Sequence, residues 1–173
     1  PLVEKPGEKG VAGWWAELSS ENAARGYAAV WRLADAPGAS VPFLRRRLKP
    51  VTDAQADEIR QHIKDLDNGA FVVRKKAFEQ LQNLGPAAAP ALRGALDKNT
   101  SLEVRRRVEQ LLDHLTNKPM SGEPLRTLRS LAVLEHAGTA EARRLLRALA
   151  AGAPSAWLTQ EAKAVCARLA RRS

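Results

Sequence analysis

The chain has 173 residues, a formal net charge of +9 and 45% hydrophobic residues, with aromatics at only 5%. Leu and Ala must therefore fill any core, and Ala, Leu and Arg all favour helix. One cysteine, Cys166, excludes an intrachain disulfide and a cysteine metal cluster. No apolar run reaches the roughly 18 residues that a membrane-spanning helix needs. β-branched clusters are nearly absent beyond Phe71-Val72-Val73, so the expected class is all-α.

In chain order, residues 1–10 carry two Pro and two Gly without periodicity and read as a linker. The start at Pro1 points to a segment of a longer protein, and no leader pattern is visible. Residues 11–173 read as one helical domain. A short helix over 11–18 carries Trp14, Trp15 and Leu18. Ser19 or Ser20 is expected to cap the next helix, which runs to Asp35 with Tyr27, Val30, Trp31 and Ala34 on one apolar stripe. Trp31 is therefore expected in the core. Pro37-Gly38 breaks that helix, and a second one follows over 40–48. Thr52 and Gln55 fit a capping box ahead of a helix over 53–66.

A helix over 69–84 places Val73, Ala77, Leu81 and Leu84 inward, and Gly85 ends it with positive φ. Pro86 suits the first turn of the next helix, which carries Ala89, Leu92 and Leu96. Thr100 to Glu103 reads as a capping box for a helix over 101–116. Further helices are expected over 123–137, 140–151 (capped by Thr139) and from Thr159 onward. The total is about nine or ten helices with short connections.

These helices repeat. At an offset of 48, Ala29, Leu33, Pro42, Leu44 and Leu48 match Ala77, Leu81, Pro90, Leu92 and Leu96. At an offset of 53, Leu81, Gly85, Leu92 and Leu96 match Leu134, Gly138, Leu145 and Leu149. A weaker match at 31 relates Arg74, Leu81 and Leu84 to Arg105, Leu112 and Leu115. Recurring helix pairs mark an array, which makes surfaces rather than chemistry.

The residues Arg74, Ala77, Leu81, Leu84-Gly85, Ala88, Pro90, Leu92 and Leu96 resemble a HEAT-like repeat, and Glu135 to Leu146 resembles the same joint. The likeness covers about residues 20–170. It implies an α-α superhelix of stacked antiparallel helix pairs, with second helices on the concave face. The arrangement is also similar to HEAT-like segments of large bacterial proteins, where they follow WD-repeat propellers or sigma-factor-like regions. The resemblance implies a protein-interaction scaffold with no catalytic residue and no cofactor. The partner would be another protein or a neighbouring domain. The irregular offsets depart from a uniform superhelix.

The candidate surface is a basic ladder. Aligned second helices place Arg45 with Arg93 and Arg46 with Arg147, and Arg144 lies nearby; all five would line one concave strip. Residues 68–173 hold 18 Lys+Arg against 9 Asp+Glu, while residues 1–67 balance at 10 and 10. Such a strip suits an acidic partner or nucleic-acid phosphate. The plainer reading is a solvated face paired with carboxylates. Arg74 and Arg105 sit where HEAT-like repeats often keep a bridging base between repeats. HEAT-like DNA glycosylases hold DNA on similar arrays, but their catalytic aromatic and acidic pattern is not recognisable here. His62, His114 and His136 show no ligand spacing. Cys166 reads as a buried structural thiol.

Overall fold

The computed structural model describes residues 7–96 and 101–172. Among these, ten α-helices and one 3₁₀ turn account for the regular structure, and no strand occurs. The all-α expectation holds. Residues 1–6 of the expected linker, and Thr100 of the expected capping box, lie outside the described residues.

The backbone groups into two compact units, and the grouping does not follow chain order. The first contains α1 (Glu8–Glu17), α2 (Ala23–Ala34), α3 (Pro37–Arg47), α8 (Gly122–Ala137), α9 (Ala140–Ala150) and nearly all of α10 (Trp157–Arg171). The second contains α4 (Asp53–Asp65), α5 (Phe71–Leu84), a 3₁₀ turn at Gly85–Ala88, α6 (Ala89–Leu96), α7 (Leu102–Asn117) and the segment 152–157.

Local chemistry sets most helix ends. Thr52 and Gln55 form the expected capping box, and the Thr139 side chain accepts from the Ala142 N–H. Gly85 and Gly138 end their helices at φ of 56° and 60°, a region that disfavours other residues. Among the boundaries that differ from expectation, α1 already starts at Glu8, inside the expected 1–10 linker. Asn22, not a serine, caps α2 through the Arg25 N–H. Pro37 opens α3 instead of only ending α2, because proline's missing N–H costs nothing in a first turn. Ser101 caps α7 through the Val104 N–H. Thr159 lies inside α10, its hydroxyl buried, because that helix starts two residues earlier.

In the first unit, α2 packs along α8, while α3 packs against α8 and α9. Gly26 faces Arg129 and Trp31 stacks on His136, so α2 and α8 advance in the same direction. The pair α2–α3 thus lies on the pair α8–α9, although 74 residues separate them in the chain. Leu33, Leu44, Leu131, Leu134, Leu146 and Leu149 are fully buried between them. The repeat offsets relate similar pairs, but the pairs that touch here are not consecutive ones.

In the second unit, α4 packs on α5, and α6 on α7. Its core joins Leu66, Ala77, Leu81, Leu92, Val108 and Leu111. Arg107 on α7 donates to the Leu66 carbonyl at 2.6 Å, and Gln82 on α5 meets His114 on α7 at 3.3 Å. Helices α5 and α7 therefore also run in the same direction.

Trp31 is a correction. The buried stripe of α2 is Gly26, Ala29, Val30, Leu33 and Ala34, rotated by one residue from the expected one. Ala29, Val30, Leu33 and Ala34 turn into the core, and Trp31 is left at the edge of the α2–α8 seam against His136. Tyr27 and Trp31 turn outward, 63% and 39% exposed. Val73 is likewise exposed, leaving Ala77 and Leu81 as the buried residues of α5.

Candidate interaction surface

Of the five arginines in the expected strip, four belong to the first unit. Arg45 and Arg46 lie on α3, Arg144 and Arg147 on α9, and all four are exposed. Arg45 and Arg144 line one open depression of about 450 Å³ together with Glu141, Leu145 and Ala148. Arg93 is exposed on α6 of the second unit.

Glu141 approaches Arg144 at 3.9 Å, with both more than half exposed, a pair worth little in water. Arg46 lies 5.8 Å from the Phe43 ring centre. The Arg45 carbonyl accepts from Lys49 at 3.1 Å, which adds a fifth cation beside the strip. Arg147 sits near Cys166, which is half-buried; burial pushes that thiol up and Arg147 opposes the shift.

The fold redistributes charge. The first unit holds 17 Lys+Arg against 9 Asp+Glu, a net +8, and the second holds 11 against 10. The sequence places the excess in residues 68–173, but α1–α3 bring six further cations beside α8–α10.

Other arginines are structural. Arg47 stacks 3.9 Å over Phe43 and 5.7 Å from Trp15, while Arg126 lies 5.3 Å from Trp15. Arg126 also grips Glu123 through both carboxylate oxygens and donates to Ser19 Oγ at 2.9 Å. Trp14 and Trp15 are both half-buried against the core. Arg74 does not bridge units of the repeat. It donates to the Asn68 and Gly69 carbonyls just ahead of its own helix. Arg105 is exposed, and Arg107, two residues on, makes the bridge to Leu66. Arg129 does the equivalent in the first unit, donating to the Leu18 and Ser20 carbonyls at 2.8 and 2.7 Å. A cation at the carbonyl end of a neighbouring helix meets that end's partial negative charge.

Glu103 four residues ahead marks Arg107 as an ion-pair partner, which it is, but no sequence pattern points Arg107 or Arg129 at these backbone carbonyls. Among the described residues no group of three or more His, Cys, Asp or Glu side chains could hold a metal ion. No helix among them is long and apolar enough to cross a membrane. Searches of family models, curated proteins and solved structures give no match to this chain.

Proposed function

We propose that this chain is a HEAT-like, non-catalytic interaction module of a larger protein, contacting another protein or a neighbouring domain through its arginine-bearing second helices. The observation that carries this reading is the packing of pair α2–α3 on pair α8–α9. It leaves α3 and α9 side by side with Arg45, Arg46, Arg144 and Arg147 outward. The parallel first helices α2 and α8, and α5 and α7, are what stacked HEAT-like pairs would have. Cross-linking within the full-length parent tests it. Contacts should map to α3 and α9, and a parent in which this segment touches no partner or neighbouring domain would remove the reading.

A second reading, binding of nucleic-acid phosphate, is favoured by the net +8 carried by the first unit. Titration with labelled duplex should then show affinity that falls steeply with salt. Replacing Arg45, Arg144 and Arg147 together by Gln is expected to flatten the log–log salt slope by about 2–3. Absence of binding at low salt, where phosphate attraction is strongest, would eliminate it.

A further inference from the structure

In the second unit the most exposed large apolar residues gather at one end. Phe71 and Val72 open α5 and Leu102 opens α7, exposed by 68%, 75% and 81%. The two helices run in the same direction, and Ser101 Oγ, at the start of α7, donates at 2.9 Å to Asp67 Oδ1 in the turn that leads into α5. All three apolar side chains therefore belong to the same end of the unit.

Each has a cation four residues later: Lys75 after Phe71, Lys76 after Val72, Arg106 after Leu102. Residues four apart share a helix face, one turn or about 5.4 Å along the axis. Helical side chains lean toward the N-terminus, so Lys76 and Arg106 can reach back toward the apolar tip, while Lys75 pairs with Glu79 one turn further on. Arg105 adds a fourth exposed cation at this level. Of the carboxylates nearby, Glu79 pairs with Lys75 at 3.8 Å, Glu103 with Arg107, and Asp67 accepts from Ser101, while Glu109 lies one turn beyond Arg105.

We propose that this end of the α4–α7 unit sits on an anionic lipid surface. Phe71, Val72 and Leu102 enter the headgroup–acyl boundary, and Lys76, Arg105 and Arg106 meet the lipid phosphates. The layering matches that environment, in which apolar groups enter about 5–10 Å and cations stay at headgroup level. An acidic protein partner would be met by the same cations. It would gain less from apolar side chains that stand at helix starts ahead of the charges. This inference does not depend on the interaction-module reading.

Flotation of the full chain with vesicles tests it. The chain should float with phosphatidylcholine mixed with phosphatidylglycerol and not with phosphatidylcholine alone. Phe71→Ser with Val72→Ser and Leu102→Ser should weaken binding at least about tenfold, as should Lys76→Gln with Arg105→Gln and Arg106→Gln. All six positions are exposed, so helix content by circular dichroism should be unchanged in both variants. No flotation with the anionic vesicles would overturn the proposal. So would an apolar variant that floats as well as the parent, since that is adsorption by charge alone. Equal affinity for soluble polyglutamate, dependent on the same three apolar residues, would assign this end to an acidic protein instead.

Discussion

Replacing Arg129 by Ala is expected to cost about 3 kcal/mol, the loss of two charge-assisted bonds to backbone carbonyls. Those carbonyls, on Leu18 and Ser20, lie where α1 ends and the chain turns into α2. Gly26 makes the arrangement possible. A Cβ at that position would overlap the Arg129 guanidinium. Gly26→Ala should therefore cost about 1–3 kcal/mol through overpacking, despite alanine's better helix propensity. With Arg129→Ala already present the overlap is gone, and Gly26→Ala should stabilise by up to about 1 kcal/mol. Urea unfolding of the two single variants and the double variant checks this change of sign. Additive losses would mean that Arg129 does not occupy the space above Gly26.

Arg168→Ala is expected to cost about 2–3 kcal/mol at neutral pH. Glu135 on α8 is only 9% exposed at its side chain, and Arg168 on α10 holds both of its oxygens at 2.7–3.2 Å. Arg168 itself is 43% exposed, so its own charge adds little. The cost arises because the carboxylate is left with Arg172 alone, at 3.5 Å. The Arg168 hydrogen bonds hold the Glu135 carboxyl below its ordinary value of 4.5, against an opposing push from burial. A depressed carboxylate stabilises the fold above its unfolded pKa and loses that contribution as pH falls through the folded value. The parent should therefore lose stability on acidification below about pH 4.5. Glu135→Gln should flatten that limb. The penalty of Arg168→Ala should shrink as Glu135 becomes protonated. Thermal melts across the acid range read all three, and parallel acid limbs for parent and Glu135→Gln would contradict the assignment.

Signals that act within a few residues were legible from sequence. Thr52 with Gln55, Thr139, Gly85 and Gly138 mark helix ends through their own side chains or backbone freedom, and each does so in the fold. The recurring leucines were legible for the same reason: Leu33, Leu81, Leu92 and Leu134 are all fully buried. Adjacency was not legible. An offset shows that two helix pairs resemble one another, but the resemblance is silent on which of them touch. Hence α2 packs on α8, and Arg93 belongs to a different unit from Arg45. Of the expected strip, the nearness of Arg45 to Arg144 is seen, because both face outward from adjoining helices. Trp31 departs from the expectation because hydrophobicity predicts burial, whereas its position on α2 lies at the edge of the α2–α8 seam, stacked on the exposed His136. The role of Arg129 is not legible in sequence because its partners are backbone carbonyls.

The central claim is that helices from the two ends of the chain form one packed unit, with α2 lying along α8. The most direct measurement is a short bis-maleimide cross-link between cysteines introduced as Trp31→Cys and His136→Cys, with Cys166→Ser removing the native thiol. Trp31 and His136 stack with ring centres 4.4 Å apart, and both are exposed. Rapid cross-linking within single folded chains, lost in urea, is the predicted result. Folded chains that label at both cysteines without linking them would contradict the account.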